Sequence, residues 1–259
     1  MSGIEINKLY NENCIDTLSR MDDNFIDLVL TSPNYDNARN YHNMTWGEFR
    51  NISNLLYEKT SVGGTVVWVV ADQTINGCET LSSFKQVLYL SECGFNVLDT
   101  MIYEKNGVGS SGSRYCYNQA FEYMFVLTKG KIKTFNPIKD IVPKRANNTY
   151  SKGQRLGKSG ANNKRIYKKS PTSSKRTNIW KYSVGFINED DRTVNTAQFP
   201  EQLAEDHIIS WSNEGDLVYD PFGGGMTTAK MCIKNKRNYI CSEIVTAYCE
   251  AGQKRIDTL

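Results

Sequence analysis

Short apolar, β-branched runs alternate along this chain with stretches of helical periodicity. Phe25–Leu30 and Thr65–Val70 are nearly continuous apolar runs of the kind buried on both faces of a sheet, and Phe95–Tyr103 and Glu122–Leu127 read as further strands. Between them, Trp46–Lys59 is amphipathic and Leu81–Leu90 has the length of a crossover helix. After a long polar interval the pattern resumes with a helix over Glu201–Trp211 and a strand over Leu217–Asp220. A glycine loop over Pro221–Gly225 follows, then a helix over Met226–Lys234, a strand over Asn238–Cys241 and a closing helix over Ile244–Ile256. Strands separated by helices predict an α/β fold around a largely parallel sheet.

Composition narrows the class. With 259 residues, 39% of them hydrophobic and 23% charged, the chain has enough apolar mass for one large domain, or a core domain carrying an insertion. No apolar run approaches the roughly 18 residues of a membrane span, and the N-terminus lacks a basic-then-apolar leader, so the sequence reads as cytoplasmic. Only His42 and His207 are present, in no zinc-binding spacing, and the seven cysteines form no C-x-x-C pair. Metal hydrolysis and Ser-His or Cys-His nucleophilic chemistry are thereby disfavoured, and no metal is expected.

The net charge of +3 conceals a division. Lys131 to Lys181 holds fifteen Lys or Arg against the single acid Asp140, a balance of +14, which leaves −11 for the remainder. Aromatic residues Tyr150, Tyr167, Trp180 and Tyr182 interleave with these cations. An acidic body with one basic segment suggests a polyanion as partner. The chain therefore divides into 1–130, a basic insertion over 131–192, and 193–259.

Two loops carry candidate chemistry. Gly223-Gly224-Gly225, between a strand and a helix, lets a ligand approach the backbone, and Glu243 follows Asp220 by 23 residues, a spacing that suits an acid accepting from ribose hydroxyls. Met226-Thr227-Thr228 stands where a phosphate-binding loop needs Gly-Lys-Thr, so an adenosine-type cofactor without a polyphosphate fits better. Thr31-Ser32-Pro33-Asn34-Tyr35 closes the first buried strand. An exocyclic amine on a base is a weak nucleophile, and a Ser side chain, a Pro carbonyl and a Tyr ring on one turn supply acceptors for it and an aromatic face for an extruded base.

The order of these motifs resembles the β-group of S-adenosylmethionine-dependent DNA amino-methyltransferases. In that family an (Asp/Asn/Ser)-Pro-Pro-(Tyr/Phe) turn comes first, a basic target recognition region follows, and Asp-Pro-Phe-x-Gly-x-Gly-Thr-Thr comes last. Here Ser32 to Tyr35, the basic stretch, Gln198-Phe199-Pro200 and Asp220 to Thr228 stand in that order, with Phe121-Glu122-Tyr123 and Ser242-Glu243-Ile244 matching as well. Asn34 replaces the second proline and Met226 the last glycine.

The resemblance implies a Rossmann-like class I methyltransferase sheet with circularly permuted motif order and an inserted target recognition region. It implies S-adenosyl-L-methionine as cofactor and double-stranded DNA as substrate. A cognate restriction endonuclease and a homodimer are the partners it suggests. By position, Ser32 and the Pro33 carbonyl would polarise the amine, Asn34 would add a polar contact, and Tyr35 would stack on the flipped base. Phe199, Pro200, Asp220, Pro221, Phe222, Gly223, Gly224, Gly225, Thr227 and Glu243 would surround the cofactor. Arg145, Lys152, Arg155, Lys164, Arg165, Lys168, Lys169, Lys175 and Arg176 would meet DNA. In the resembling family a serine at the head of the turn goes mainly with N4 of cytosine and Asp or Asn with N6 of adenine, so the resemblance places cytosine slightly ahead. Two other readings stay open: a DNA-binding module that has lost transfer through Asn34 and Met226, and RNA or protein as the methyl acceptor.

Overall fold

The computed structural model describes residues 3–33, 44–106, 115–144, 149–152, 166–169, 171–183 and 200–259. In chain order the elements are β1 (Lys8–Tyr10), α1 (Cys14–Arg20), β2 (Ile26–Thr31), α2 (Trp46–Lys59), β3 (Thr60–Val70), β4 (Thr74–Ile75), β5 (Cys78–Glu79), α3 (Ser82–Glu92), β6 (Asn96–Asn106), β7 (Phe121–Thr128), β8 (Thr149–Lys152), β9 (Ile166–Lys169) and β10 (Ile179–Ser183). After these come α4 (Glu201–Trp211), β11 (Leu217–Asp220), α5 (Thr227–Lys234), β12 (Asn238–Ser242) and α6 (Thr246–Asp257). Among the described residues, no helix is long and apolar enough to cross a membrane.

Two compact units emerge, 1–136 with 178–259, and 137–177. The first is built on an eight-stranded sheet ordered β1-β12-β11-β2-β3-β7-β6-β10. Its strands are parallel apart from β7, which runs antiparallel to both β3 and β6. The expected strands are present, and their apolar runs are buried for the expected reason. On β3, Val66, Trp68 and Val70 join the core with Phe49, Ile52 and Leu56 of α2 and Val87 and Leu90 of α3, while Val67 and Val69 alternate to the other face and are equally buried. On that opposite face, α4 sets His207 against Met124 of β7, 3.2 Å from its sulfur, and against Trp180 of β10, with ring centroids 4.7 Å apart. Burial among these groups holds the imidazole neutral, its pKa pushed down to about 3.

The second unit lies within the basic interval. Its paired elements are the β8–β9 hairpin and an antiparallel bridge between Ile141 and Ser174. Arg176 donates to Asp140 from both Nε (2.9 Å) and Nη2 (2.5 Å), so the one acid of the interval holds one of its cations within this unit. The interval expected as one insertion, 131–192, is therefore shared. Residues 131–136 and 178–183 belong to the first unit, and β10 extends the main sheet beside β6 because Trp180 and Tyr182 alternate into the core.

Candidate active site at the reversal of strand order

Strand order reverses between β11 and β2. From β11 the chain moves outward through α5 to β12, and from β2 it moves the other way through α2 to β3. Ligands of open parallel sheets bind outside the carboxyl ends of the strands at such a reversal. β11 and β2 are parallel neighbours, with Val218 opposite Leu28 and Tyr219 opposite Val29. Both motif loops therefore leave the sheet side by side. Ser32 is half-buried and Pro33 buried at the end of β2; Asn34 and Tyr35 lie outside the described residues.

Asp220 joins the two loops. Its carboxylate is buried and accepts from Thr31 Oγ1 at 2.7 Å, from the Phe222 amide at 3.1 Å and from Thr228 Oγ1 at 2.7 Å. Burial raises its pKa to about 6 against the opposing pull of these donors. Three donors hold the carboxylate, so its placement is determined by β2, β11 and α5 together.

The glycine loop is pinned on each side. Gly223 donates to the Ser242 carbonyl at 2.8 Å, and Gly224, at φ +50°, donates to Glu243 Oε2 at 2.8 Å. Glu243 is buried at the end of β12, and its Oε1 accepts from the Val245 amide at 2.8 Å. A carboxylate has about four lone-pair sites, so Glu243 can serve several donors at once. Phe222 lays its half-buried ring edge-on to Trp68, centroids 6.2 Å apart. Pro200 is buried and caps α4, whereas Phe199 lies outside the described residues.

Sequence reasoning did not single out the groups that tie these parts together. Arg255 of α6 donates to the Gly225 carbonyl at 2.7 Å, reaches Thr227 Oγ1 at 3.3 Å, and pairs with Glu201, the residue after Pro200. Lys230 of α5 donates to the same carboxylate at 2.6 Å. Beneath the loop, Thr17 Oγ1 accepts from Ser242 Oγ at 2.8 Å, and Ser242 Oγ meets the Tyr219 hydroxyl at 2.9 Å. Thr228 was visible within the quoted motif, yet only the fold shows that it, and not Thr227, meets Asp220.

Met226, expected as the first helical residue, is instead the N-cap of α5 in the left-handed region at φ +58°. Its side chain is fully buried against two glycines: a Cβ built at Gly252 of α6 would lie 2.1 Å from Met226 Cγ, and one at Gly223 would lie 2.7 Å from the sulfur. The lost loop glycine is compensated by a glycine on α6.

The site suits a nucleoside group. It offers glycine backbone, a buried acid that accepts from backbone amides and an aromatic ring, and the nearby guanidinium of Arg255 is turned to a carbonyl and a carboxylate. Of the DNA candidates, Arg145, Arg155, Lys164 and Arg165 lie outside the described residues; Lys152 falls on β8, Lys168 and Lys169 on β9, and Lys175 is exposed.

Comparison with known proteins shows the family and the fold. The DNA methylase family of N6/N4 methyltransferases matches residues 26–254. The orphan methyltransferase M.BamHII of Bacillus amyloliquefaciens is 45% identical over 236 residues, covering 89% of this chain and 88% of the relative. Among solved structures, the cytosine-N4-specific PvuII DNA methyltransferase superimposes with a TM-score of 0.73 at 18% identity, covering 98% of this chain and 90% of the other. The M1.HpyAVI–SAM complex does so with 0.63 at 21% identity, covering 96% and 98%. The chain belongs to the N6/N4 family of DNA amino-methyltransferases, whose methyl donor is S-adenosyl-L-methionine.

Proposed function

We propose that this protein is a site-specific DNA methyltransferase that moves a methyl group from S-adenosyl-L-methionine to the exocyclic amine of a flipped base, N4 of cytosine ahead of N6 of adenine. The observation that carries the reading is the buried hydrogen bond from Thr31 to Asp220, which joins the Ser32-Pro33 turn to the glycine loop where strand order reverses. The cofactor supplies an electrophilic methyl group. The Ser32 hydroxyl and Pro33 carbonyl accept hydrogen bonds from the amine and raise electron density on its nitrogen, while Tyr35 stacks on the base and Asn34 adds a polar contact. Phe199, Pro200, Phe222 and Glu243 would hold the cofactor, and the methyl would pass directly to the amine nitrogen, its bond to sulfur breaking as the bond to nitrogen forms and the surplus amine proton leaving to water, with no covalent enzyme intermediate.

The product identifies the target. DNA treated with the purified protein, digested to nucleosides and resolved by mass spectrometry, is expected to contain N4-methylcytosine. N6-methyladenine as the sole product would overturn the cytosine assignment, and 5-methylcytosine or no methylated nucleoside would overturn the mechanism.

Glu243→Ala is expected to weaken S-adenosylmethionine binding about 10-fold or more in calorimetry, because hydrogen bonds to a charged acceptor contribute about 1.5–3 kcal/mol. Unchanged affinity would remove Glu243 from the cofactor site.

The 137–177 unit and its flanking cations are the proposed DNA contact. Removing both Lys168 and Lys169 is expected to weaken binding on all sequences and to reduce the log–log salt slope by about one unit per lost phosphate contact. Equal slopes for mutant and native protein would place β9 away from the duplex. A partner endonuclease and a homodimer belong to the same proposal.

A further inference from the structure

The carboxyl edge of the sheet carries a second feature that the transfer reaction does not use. β3 ends at Val70 beside β2, with Trp68 opposite Thr31, and six residues after Trp68 the chain begins the small antiparallel hairpin β4–β5, in which Ile75 pairs with Cys78. Its two turn residues, Asn76 at φ +52° and Gly77 at φ +82°, have the paired positive φ of a type I′ turn, the tightest connection between two strands. This hairpin is held firmly at its base. The buried Asp72 carboxylate accepts from the Ser83 amide at 2.9 Å, Ser83 Oγ at 2.5 Å and Ser82 Oγ at 3.1 Å, and the Thr80 amide donates to the Gln73 carbonyl at 3.0 Å.

Among the hairpin's exposed residues Thr74, Ile75, Asn76, Cys78 and Glu79, Ile75 is the large apolar one. Ile75, next to the turn, is 49% exposed on a structure too small to have a core of its own. β7 is antiparallel to β3 with Tyr123 opposite Val70, so the residues before Phe121 lie at the same edge. There Tyr115 is 82% exposed and Tyr117 fully exposed, and the Cys116 thiol between them donates to the Gly77 carbonyl at 3.6 Å. A rigid turn, an exposed branched apolar side chain and two exposed phenol rings thus share the rim from which the Ser32-Pro33 turn leaves the sheet.

We propose that the Thr74–Glu79 hairpin is a DNA wedge: Ile75 enters the stack at the target base pair, and Tyr115 and Tyr117 stack on or beside the opened strand. The inference rests on the DNA reading above and deepens it by naming the group that holds the base out. Apolar wedges are a recurrent means of separating base steps, and aromatic rings bind bases without regard to sequence. Its rigidity matters, because a wedge must keep its shape while the stack is forced apart.

The test exploits the fact that a mispaired base is easier to extrude than a paired one. Single-turnover methylation is measured for the native protein, Ile75→Ala and Ile75→Leu on a duplex with the target base correctly paired and on one with it mispaired. Ile75→Ala is expected to lose about tenfold or more on the paired duplex and to approach the native rate on the mispaired one, with Ile75→Leu close to native on both and with unchanged S-adenosylmethionine affinity. Equal rates on the paired duplex, or equal losses on both duplexes, would overturn the wedge while leaving the methyltransferase reading intact. No transfer by the native protein on either duplex would overturn that reading and the wedge with it.

Discussion

Gly252→Ala is expected to destabilise the protein by about 2–3 kcal/mol, the upper part of the range for overpacked cores. The cause is local: the added Cβ would sit 2.1 Å from Met226 Cγ, far inside van der Waals contact, and Met226 is fully buried with a second glycine, Gly223, on its other side. Met226 cannot swing aside without moving the loop whose amide meets Glu243. Met226→Gly alone relieves about 1 kcal/mol of left-handed strain, yet it empties a buried site for which side-chain truncation costs about 2–5 kcal/mol. The double variant Met226→Gly with Gly252→Ala is therefore expected to be more stable than the sum of the two losses predicts. Urea unfolding of all four proteins checks this, and strict additivity would show that the two positions do not compete for one space.

Elements bounded by turn chemistry were legible in the sequence, and those defined by partners were not. α4 and β11 occupy the residues their patterns predict, since Pro200 opens one and Gly215, at φ +85°, precedes the other. β3 begins five residues before its apolar run. Gly63 and Gly64 look like punctuation, but they lie within the strand: Gly63 sits at φ +84°, 2.8 Å from Lys133 Cβ when a Cβ is built on it, and the β2–β3 register shifts between Ile26 and Leu28. The antiparallel direction of β7 has no local signature, because Phe121–Thr128 would be equally apolar in either direction. β10 was hidden in the basic interval, where alternate burial of Trp180 and Tyr182 matters more than the intervening Lys181.

The site shows the same division. Its backbone-defined parts, the turn after β2 and the glycine loop after β11, stand out as strings of residues. The side chains that couple them come from distant positions: Thr31 and Asp220 are 189 residues apart, and Glu201 and Arg255 are 54 apart. A short threonine at a strand end or an arginine in a closing helix carries no mark of such a role until the sheet brings it to a partner. This coupling also determines how damage to one loop should spread to the other.

Ser32→Ala and Tyr35→Ala are expected to lose turnover while S-adenosylmethionine affinity stays within about twofold of native. Removing one preorganised hydrogen-bonding group from a site of charge development typically costs about 100- to 1,000-fold in turnover, the range expected for Ser32. Tyr35 acts on the base alone, and loss of stacking worth about 1–3 kcal/mol corresponds to roughly 5- to 150-fold before any loss of alignment is counted. Together the two changes should reduce transfer to background. Thr31→Val is the informative control, because it removes the donor to Asp220 without touching the amine. It should affect cofactor affinity and turnover together, since it loosens the link between the turn and the glycine loop. Calorimetry with S-adenosylmethionine alongside single-turnover methylation separates the two patterns. If Ser32→Ala lowers cofactor affinity as much as Thr31→Val does, Ser32 is a support for the cofactor loop and the amine has a different acceptor.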